Sequence, residues 1–325
     1  MSLSLSVAID RYDRHFPFFD GTVAVPKDLN LKILQVGQTV TLRDGEFRHE
    51  RMIRDGEFDV CEFSLSSYLM ARDRGLPLIA VPVFPRRLFS AGLFYVRENS
   101  GIRTPRDLIG RRVGLNSFQT TLSVLARGDL KEEYGVPWED IVWCVVNAEK
   151  LPFDVKKGVV IESLGHGADL GEAMAKGDID AFVHPHPPAS VINGRVPARR
   201  LFPNAQQEEF RYFHRNGYFP IMHVIVLRAS LVDEHPEVPR LVMDLFDQAK
   251  RISHRYYDDP NWSHLAWGRK YYEEERSLVE GDIWPSGIRA NSKNLQCFID
   301  YMFDQNLISR RLTLDELFAP SILAT

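Results

Sequence analysis

The sequence predicts an α/β protein of two lobes, each carrying a mixed, mostly parallel sheet, with a hinge and a ligand cleft between the lobes. Three observations lead there. Short apolar runs alternate with capped or amphipathic helical stretches from the start of the chain to Val183. The alternation restarts after Gly101. The last third is mostly helical and follows one isolated apolar strand at residues 221–227.

The elements follow in order. Residues 1–10 alternate apolar residues with serine and lack a basic leader region, which reads as a first strand and not a signal peptide. Residues 31–36 form an apolar strand, and Asp44 can cap a helix carrying Phe47, Met52 and Ile53 that ends near Gly56. Residues 58–63 read as a strand, and Ser64 caps a helix running to Gly75. Residues 78–83 and 93–96 are further strands. Thr104-Pro105-Arg106-Asp107 joins a cap, a first-turn proline and an acid at the third helical position. Residues 112–115 make a strand, and Asn116-Ser117-Phe118-Gln119-Thr120-Thr121 leads into a helix. Strands follow at 141–145, 159–162 and 179–183, with a helix at 170–176. Leu241, Val242, Leu245, Phe246, Ala249 and Ile252 recur at helical spacing, as do Leu295, Phe298, Ile299 and Met302, and both stripes read as core packing. The expected domains are residues 1–97 with 223–325, a discontinuous lobe that takes the C-terminal helices, and residues 98–222.

Composition narrows the function. The chain has 325 residues, 44% hydrophobic and 26% charged, as in ordinary soluble globular proteins. Its formal charge of −4 gives no general attraction to nucleic acid or to an anionic membrane, so any anion site is local. No apolar run approaches the roughly 20 residues that span a bilayer, and a cytoplasmic location is expected. Cys61, Cys144 and Cys297 are far apart, odd in number and without metal spacing, which reads as reduced thiols.

A family likeness rests on Tyr12-Asp13-Arg14, on residues 58–68, and on residues 79–89 with their Pro82-Val83-Phe84-Pro85 core and Arg87. It continues through Gly101-Ile102, residues 107–114, Tyr134-Gly135-Val136, Arg200-Leu201-Phe202-Pro203, Phe219-Pro220-Ile221-Met222-His223, Trp284-Pro285 and residues 314–320. In these residues the chain resembles the 4,5-dihydroxyphthalate decarboxylase family. That family in turn resembles type II periplasmic binding proteins and the synthases of the thiamine pyrimidine precursor. The resemblance implies a type II periplasmic-binding-protein-like fold and a carboxy-lyase with no cofactor, acting on a small aromatic carboxylate. The chain departs from the family pattern at Ser90-Ala91-Gly92 and at His184-Pro185-His186-Pro187-Pro188, so a related acid or a changed reaction stays open.

Loss of CO2 from a dihydroxylated aromatic acid asks the protein to hold carboxylates, supply a proton and assist a phenol. Arg87, after a strand and inside the matching block, is the candidate carboxylate clamp, because its planar fork binds both oxygens. Arg86 alone reads as a surface arginine paired with an acid. Ser64, Ser66 and Ser67 sit at a helix N-terminus, where they cap the helix and can also meet an anion. Ser117, Phe118, Gln119 and Thr120 form the corresponding segment of the second lobe. His223 is the candidate proton donor. Asp13 and Glu62 can take or relay a phenolic proton, or form salt bridges to Arg14 or Arg87. His184 and His186, two apart, suit an acid–base or anion-binding role, with His186 standing in for an arginine. A metal there is the minority reading, because no third ligand is evident. Tyr12, Phe84, Phe89, Phe118 and Trp284 can sandwich an aromatic ring or simply pack.

Three functions of different kind follow: a cofactor-independent decarboxylase of a dihydroxyphthalate-like acid, a solute-binding protein for an organic acid, and a precursor-synthesising enzyme on the same fold. No nucleic-acid or membrane partner is expected, and homo-oligomerisation is left open.

Overall fold

The computed structural model describes residues 3–36, 48–279 and 281–325. The strands among them are β1 (Leu3–Ile9), β2 (Leu29–Gln35), β3 (Val60–Ser64), β4 (Leu78–Val81), β5 (Phe94–Arg97), β6 (Arg112–Leu115), β7 (Val142–Val145), β8 (Val160–Ser163), β9 (Ala181–Val183), β10 (Ala198–Arg200) and β11 (His223–Arg228). They form two sheets, ordered β2-β1-β3-β11-β4 and β10-β5-β9-β6-β7-β8. The expected α/β class with two mixed, mostly parallel sheets is therefore the observed one.

The chain divides into two compact units. The first comprises the described residues of Met1–Arg86, His223–Lys293 and Leu312–Thr325, and the second comprises Arg87–Met222 and Asn294–Arg311. The division expected from sequence lay at 97/98 and left the whole C-terminus in the first lobe. Two findings move it. Strand β5 pairs with β9 and β10, so the second unit already begins before it. The later part of the helix Ile288–Asp304 and the turn after it pack in the second unit, where the Asp304 carboxylate accepts from Lys131 and Gln305 accepts from Arg127.

In the first unit β1 lies parallel between β2 and β3, while β11 runs antiparallel between β3 and β4. Register follows from the period of two in a strand. Val7 pairs with Val60, Glu62 with Ile225 and Ile225 with Val81, which gathers these residues on one face. Leu5, Ile9 and Leu227 join them in a core closed by Val242, Leu245, Phe246 and Ala249 of the helix Val238–His254. The stripe read from the sequence is that helix face. Ser64 caps the helix Leu65–Asp73, accepting from the Ser67 N–H at 3.5 Å. Asp44 and Phe47, expected in the preceding helix, lie outside the described residues, and that helix is seen over Arg48–Asp55.

In the second unit β6 stands parallel between β7 and β9, β8 lies beyond β7, and β5 and β10 add an antiparallel edge. Tyr95, Cys144, Leu170, Met174, Ile179 and Phe182 build its core. The helix Leu170–Lys176 starts at Asp169, whose carboxylate accepts from the Glu172 N–H at 3.0 Å, and stops at Gly177 in the left-handed region at φ 84°. The helix Thr121–Tyr134 lies so close to Tyr301 that a Cβ on Gly128 would stand 2.1 Å from the ring. Gly128→Ala is expected to lower unfolding stability by about 1–3 kcal/mol in a urea titration, because the ring is buried and has little room to withdraw.

A buried carboxyl on the same helix gives the unit a pH dependence. Asp129 accepts from Ser90 Oγ at 2.5 Å and from the Tyr301 hydroxyl at 3.3 Å. Burial pushes its carboxyl up to about 7. The folded state thus keeps a proton that the unfolded state releases between about pH 4 and 7, so this group's contribution falls as pH rises through that window. Asp129→Asn is expected to become progressively more stable relative to the parent over the same window, by on the order of 1 kcal/mol per pH unit. Denaturant midpoints at pH 5 and pH 7.5 check this.

Candidate functional site

The face that carries the first unit's core ends in a charge. Glu62, the third residue of β3, is fully buried and lies on the same side as Val60 and Ile225. It sits at the carboxyl ends of the parallel strands, where open α/β sheets place their chemistry. Because β11 runs the other way, its first residue, His223, meets this same edge opposite Ser64. The antiparallel strand thus sets an imidazole beside a carboxylate far away in sequence.

The partners of Glu62 come from three segments. Its Oε1 accepts from His223 Nδ1 at 2.5 Å and from the Tyr12 hydroxyl at 3.2 Å, and pairs with the Arg48 guanidinium at 3.1 Å. Its Oε2 accepts from the Asp10 N–H at 3.0 Å. Arg48, fully buried, also donates Nε to the Glu62 carbonyl at 2.7 Å and Nη1 to the Val36 carbonyl. Arg48 therefore ties the ends of β2 and β3 together. His15 closes the floor, its Nδ1 2.8 Å from the Asp10 carbonyl. The His49 ring meets the His223 ring edge-on at 5.3 Å.

Electrostatics fix the protonation states. Burial alone would raise the Glu62 carboxyl, but the Arg48 charge and the His223 hydrogen bond overcome it and hold the group well below the usual range. Burial pulls His223 down to about 4, with the Glu62 hydrogen bond and charge only partly opposing. Burial likewise lowers His15 to about 4. Burial and the neighbouring Glu62 charge raise the Tyr12 phenol. Near neutral pH the centre is a carboxylate neutralised by Arg48, with a neutral imidazole that donates Nδ1–H to it. That bond selects the tautomer and leaves Nε2 with its lone pair.

Other residues singled out from the sequence take different places. Asp13 pairs with Arg14 and accepts from the Tyr257 hydroxyl at 2.5 Å. Its carboxyl is lowered: burial acts to raise it, and Arg14 and the Tyr257 bond outweigh this. Arg14 is stacked between the Tyr12 ring at 4.2 Å and the Trp284 ring at 4.4 Å. Phe84 and Trp284 line a cavity of ≈ 20 Å³ with Arg14, His15 and Lys250, room for a water but not for a substrate ring. Ser66 Oγ is 3.1 Å from Ser64 Oγ, and both hydroxyls and that of Ser67 are buried at the helix start.

The remaining candidates belong to the second unit. Arg87 is buried there and donates Nη1 to the Phe219 carbonyl at 2.7 Å. Phe89 stacks on Phe219 with ring centroids 4.6 Å apart. The N–H groups of Phe118 and Gln119 donate to the Glu149 carboxylate at 2.6 and 3.1 Å, so an acid of the protein itself sits on them. The Gln119 side chain bonds the Leu151 backbone at both ends, and Thr120 Oγ1 lies 2.7 Å from Ser123 Oγ. Ser117 is buried beside them, and Phe118 stacks on Phe153 under the Arg127 guanidinium. His184 turns its Nδ1 to the His186 backbone, and the two rings lie 6.2 Å apart. Among the described residues no cluster of three or more His, Cys, Asp or Glu side chains could hold a metal.

The structure thus brings Tyr12, Glu62, His223 and the capping serines to one sheet edge, and adds Arg48, His15 and His49. Those three lie outside the set predicted from sequence. The signal for Arg48 and His49 is an Arg-His pair at the start of a helix, where periodicity sends polar residues to solvent.

A pair of α/β units with these sheets defines the class of periplasmic-binding-protein-like chains. The fold matches the periplasmic aliphatic sulphonate binding protein SsuA from Escherichia coli, with a TM-score of 0.56 at 15% identity, covering 98% of this chain and 92% of that one. It also matches the alkanesulfonate-binding SsuA from Xanthomonas axonopodis pv. citri bound to MOPS, with a TM-score of 0.54 at 15% identity over 98% and 97%. At these identities the likeness is one of fold. The NMT1/THI5 like family model matches residues 39–158. The chain is 32% identical to the 4,5-dihydroxyphthalate decarboxylase of Comamonas testosteroni over 330 residues, 99% of this chain and 98% of that protein. It is also 32% identical to that of Pseudomonas putida over 223 residues, 66% of this chain and 83% of the relative. The chain belongs to the 4,5-dihydroxyphthalate decarboxylase family and is an enzyme of carboxy-lyase type.

Proposed function

We propose that this enzyme decarboxylates a dihydroxylated aromatic dicarboxylic acid, converting 4,5-dihydroxyphthalate to 3,4-dihydroxybenzoate and CO2. The observation that carries this reading is the likeness to the Comamonas testosteroni decarboxylase along 99% of the chain. The Glu62–His223 pair supplies chemistry suited to it. His223 Nε2 takes the proton of the hydroxyl para to the departing carboxylate. Electron density from that oxygen lets the ring carbon bearing the carboxylate accept a proton from water. The carbon–carbon bond then breaks, CO2 leaves, and its electron pair restores the aromatic ring while the para oxygen regains its proton. Glu62 holds the imidazole in the needed tautomer. In this reading His223 acts first as a base, because burial lowers its imidazolium to about 4 and so leaves the ring neutral, with a lone pair on Nε2, near neutral pH.

Incubation with 4,5-dihydroxyphthalate, following CO2 and 3,4-dihydroxybenzoate, tests the proposal. Absence of turnover with and without added divalent metal would overturn it. A second reading, a binding protein for a small organic acid, is favoured by the fold of the SsuA proteins. It expects saturable binding without release of CO2.

A further inference from the structure

The geometry points to Arg86 as the residue that binds the carboxylate the substrate keeps, and so as the determinant of preference for aromatic dicarboxylates over monocarboxylates. The inference rests on the decarboxylase reading for its substrate class.

Arg86 follows the Pro82-Val83-Phe84-Pro85 run, and its carbonyl accepts from the His223 N–H at 3.2 Å. This backbone bond fixes Arg86 and His223 as immediate neighbours at the edge that carries Glu62. The charge of Arg86 is felt by both the Tyr12 phenol and the His223 imidazole. Each other arginine near this edge has its partner. Arg48 is paired with Glu62 and Arg14 with Asp13. Among the described residues no carboxylate or carbonyl takes the Arg86 guanidinium, which is half-buried and so reachable by a small ligand. Among the described residues Arg86 is not the acid-paired surface arginine expected for this position. A guanidinium held beside a general base, with no counter-ion among the described residues, suits a ligand carboxylate, to which it can present two parallel N–H donors.

The chemistry decides which carboxylate this is. The departing group loses its negative charge as CO2 forms, so a cation upon it would stabilise the ground state more than the transition state and slow the reaction. The kept carboxylate has no such conflict, and binding it orients the ring. In 4,5-dihydroxyphthalate the kept carboxylate stands meta to the hydroxyl that His223 deprotonates. Groups binding these two substituents must be neighbours, as Arg86 and His223 are.

The test uses Arg86→Gln and Arg86→Lys in the full chain, with phthalate as a non-reacting dicarboxylate and catechol as a probe without carboxylates. Arg86→Gln is expected to weaken phthalate binding about 10- to 100-fold and to raise KM for 4,5-dihydroxyphthalate by a similar factor. Catechol binding and the melting temperature should be unchanged, and Arg86→Lys should recover part of the loss. Unaltered phthalate affinity in folded Arg86→Gln would overturn the inference. So would an equal loss of catechol affinity. If the parent binds phthalate in an Arg86-dependent way yet releases no CO2 from 4,5-dihydroxyphthalate, the decarboxylase reading fails and the anchor stands. If the parent turns over and Arg86→Gln keeps its KM, the anchor fails and the reading stands.

Discussion

His223→Asn is expected to lower turnover of 4,5-dihydroxyphthalate about 10²- to 10⁴-fold, the usual worth of a positioned general base. Asparagine is the informative replacement. Its amide can offer an N–H where Nδ1–H met Glu62, so the buried carboxylate keeps a donor, while nothing replaces Nε2. Unchanged folding with lost turnover would isolate the base. Turnover within a few-fold of the parent would remove His223 from the mechanism. The pH profile adds an independent check. With His223 drawn down to about 4 by burial, the base form is already present above that value. The acid limb of kcat/KM from this group should therefore fall near pH 4, with no step at the ordinary histidine value. Stability carries the same sign. His15 and His223 both lie near 4 in the folded state and near 6.5 in the unfolded chain. Their neutral forms contribute fully above pH 6.5, and the contribution is lost as pH falls towards about 4. Asp129 acts in the opposite direction over much of this range, so Asp129→Asn should also steepen the acid loss of the parent.

Glu62→Gln is expected to destabilise the first unit by about 3–5 kcal/mol, because it strands the Arg48 guanidinium without a counter-charge in a fully buried site. Arg48→Met alone should cost a similar amount by stranding Glu62. The double variant Arg48→Met/Glu62→Leu should recover much of the loss, since two buried charges leave together. Recovery will stay incomplete because the Val36 and Glu62 carbonyls lose the donors that Arg48 gives them. Urea unfolding of the parent, Arg48→Met, Glu62→Leu and the double variant yields the coupling energy directly. Additive losses would mean that the ion pair does little for stability. The double variant should remain inactive, because nothing then selects the His223 tautomer. Folding and turnover thus part company within a single set of variants.

Local signals were legible and long-range ones were not. Ser64 as a cap, β6 at residues 112–115 and the helix at 170–176 are each encoded within a few residues, and each stands where the sequence placed it. The stripe on Val238–His254 was readable because helical period and burial coincide. Strand β10 escaped notice because it is a short edge strand ending in Arg199-Arg200, and the helix Ala205–Asn216 because most of its residues are polar. The unit boundary was misjudged because β5 resembles another strand of the first run, and only its pairing with β9 reveals its allegiance. Glu62 and His223 were each legible as ionisable residues at strand ends. Their contact spans 161 positions and depends on an antiparallel strand that no local pattern announces. Arg48 was illegible for a related reason: periodicity sends a charged helix residue outward unless a distant carboxylate calls it in.

The placement of β11 between β3 and β4 has a consequence for biogenesis. During synthesis the two earlier strands leave the ribosome with neighbouring edges bare, and the strand that joins them is made only after the entire segment from Arg87 to Met222. Until then the nascent first unit exposes unsatisfied amides and carbonyls, a template for wrong pairing that favours chaperone engagement. The residue that completes the pairing at the edge carrying Glu62 is also His223 itself, so on the proposed mechanism competence for chemistry arrives in the same act as closure of the sheet.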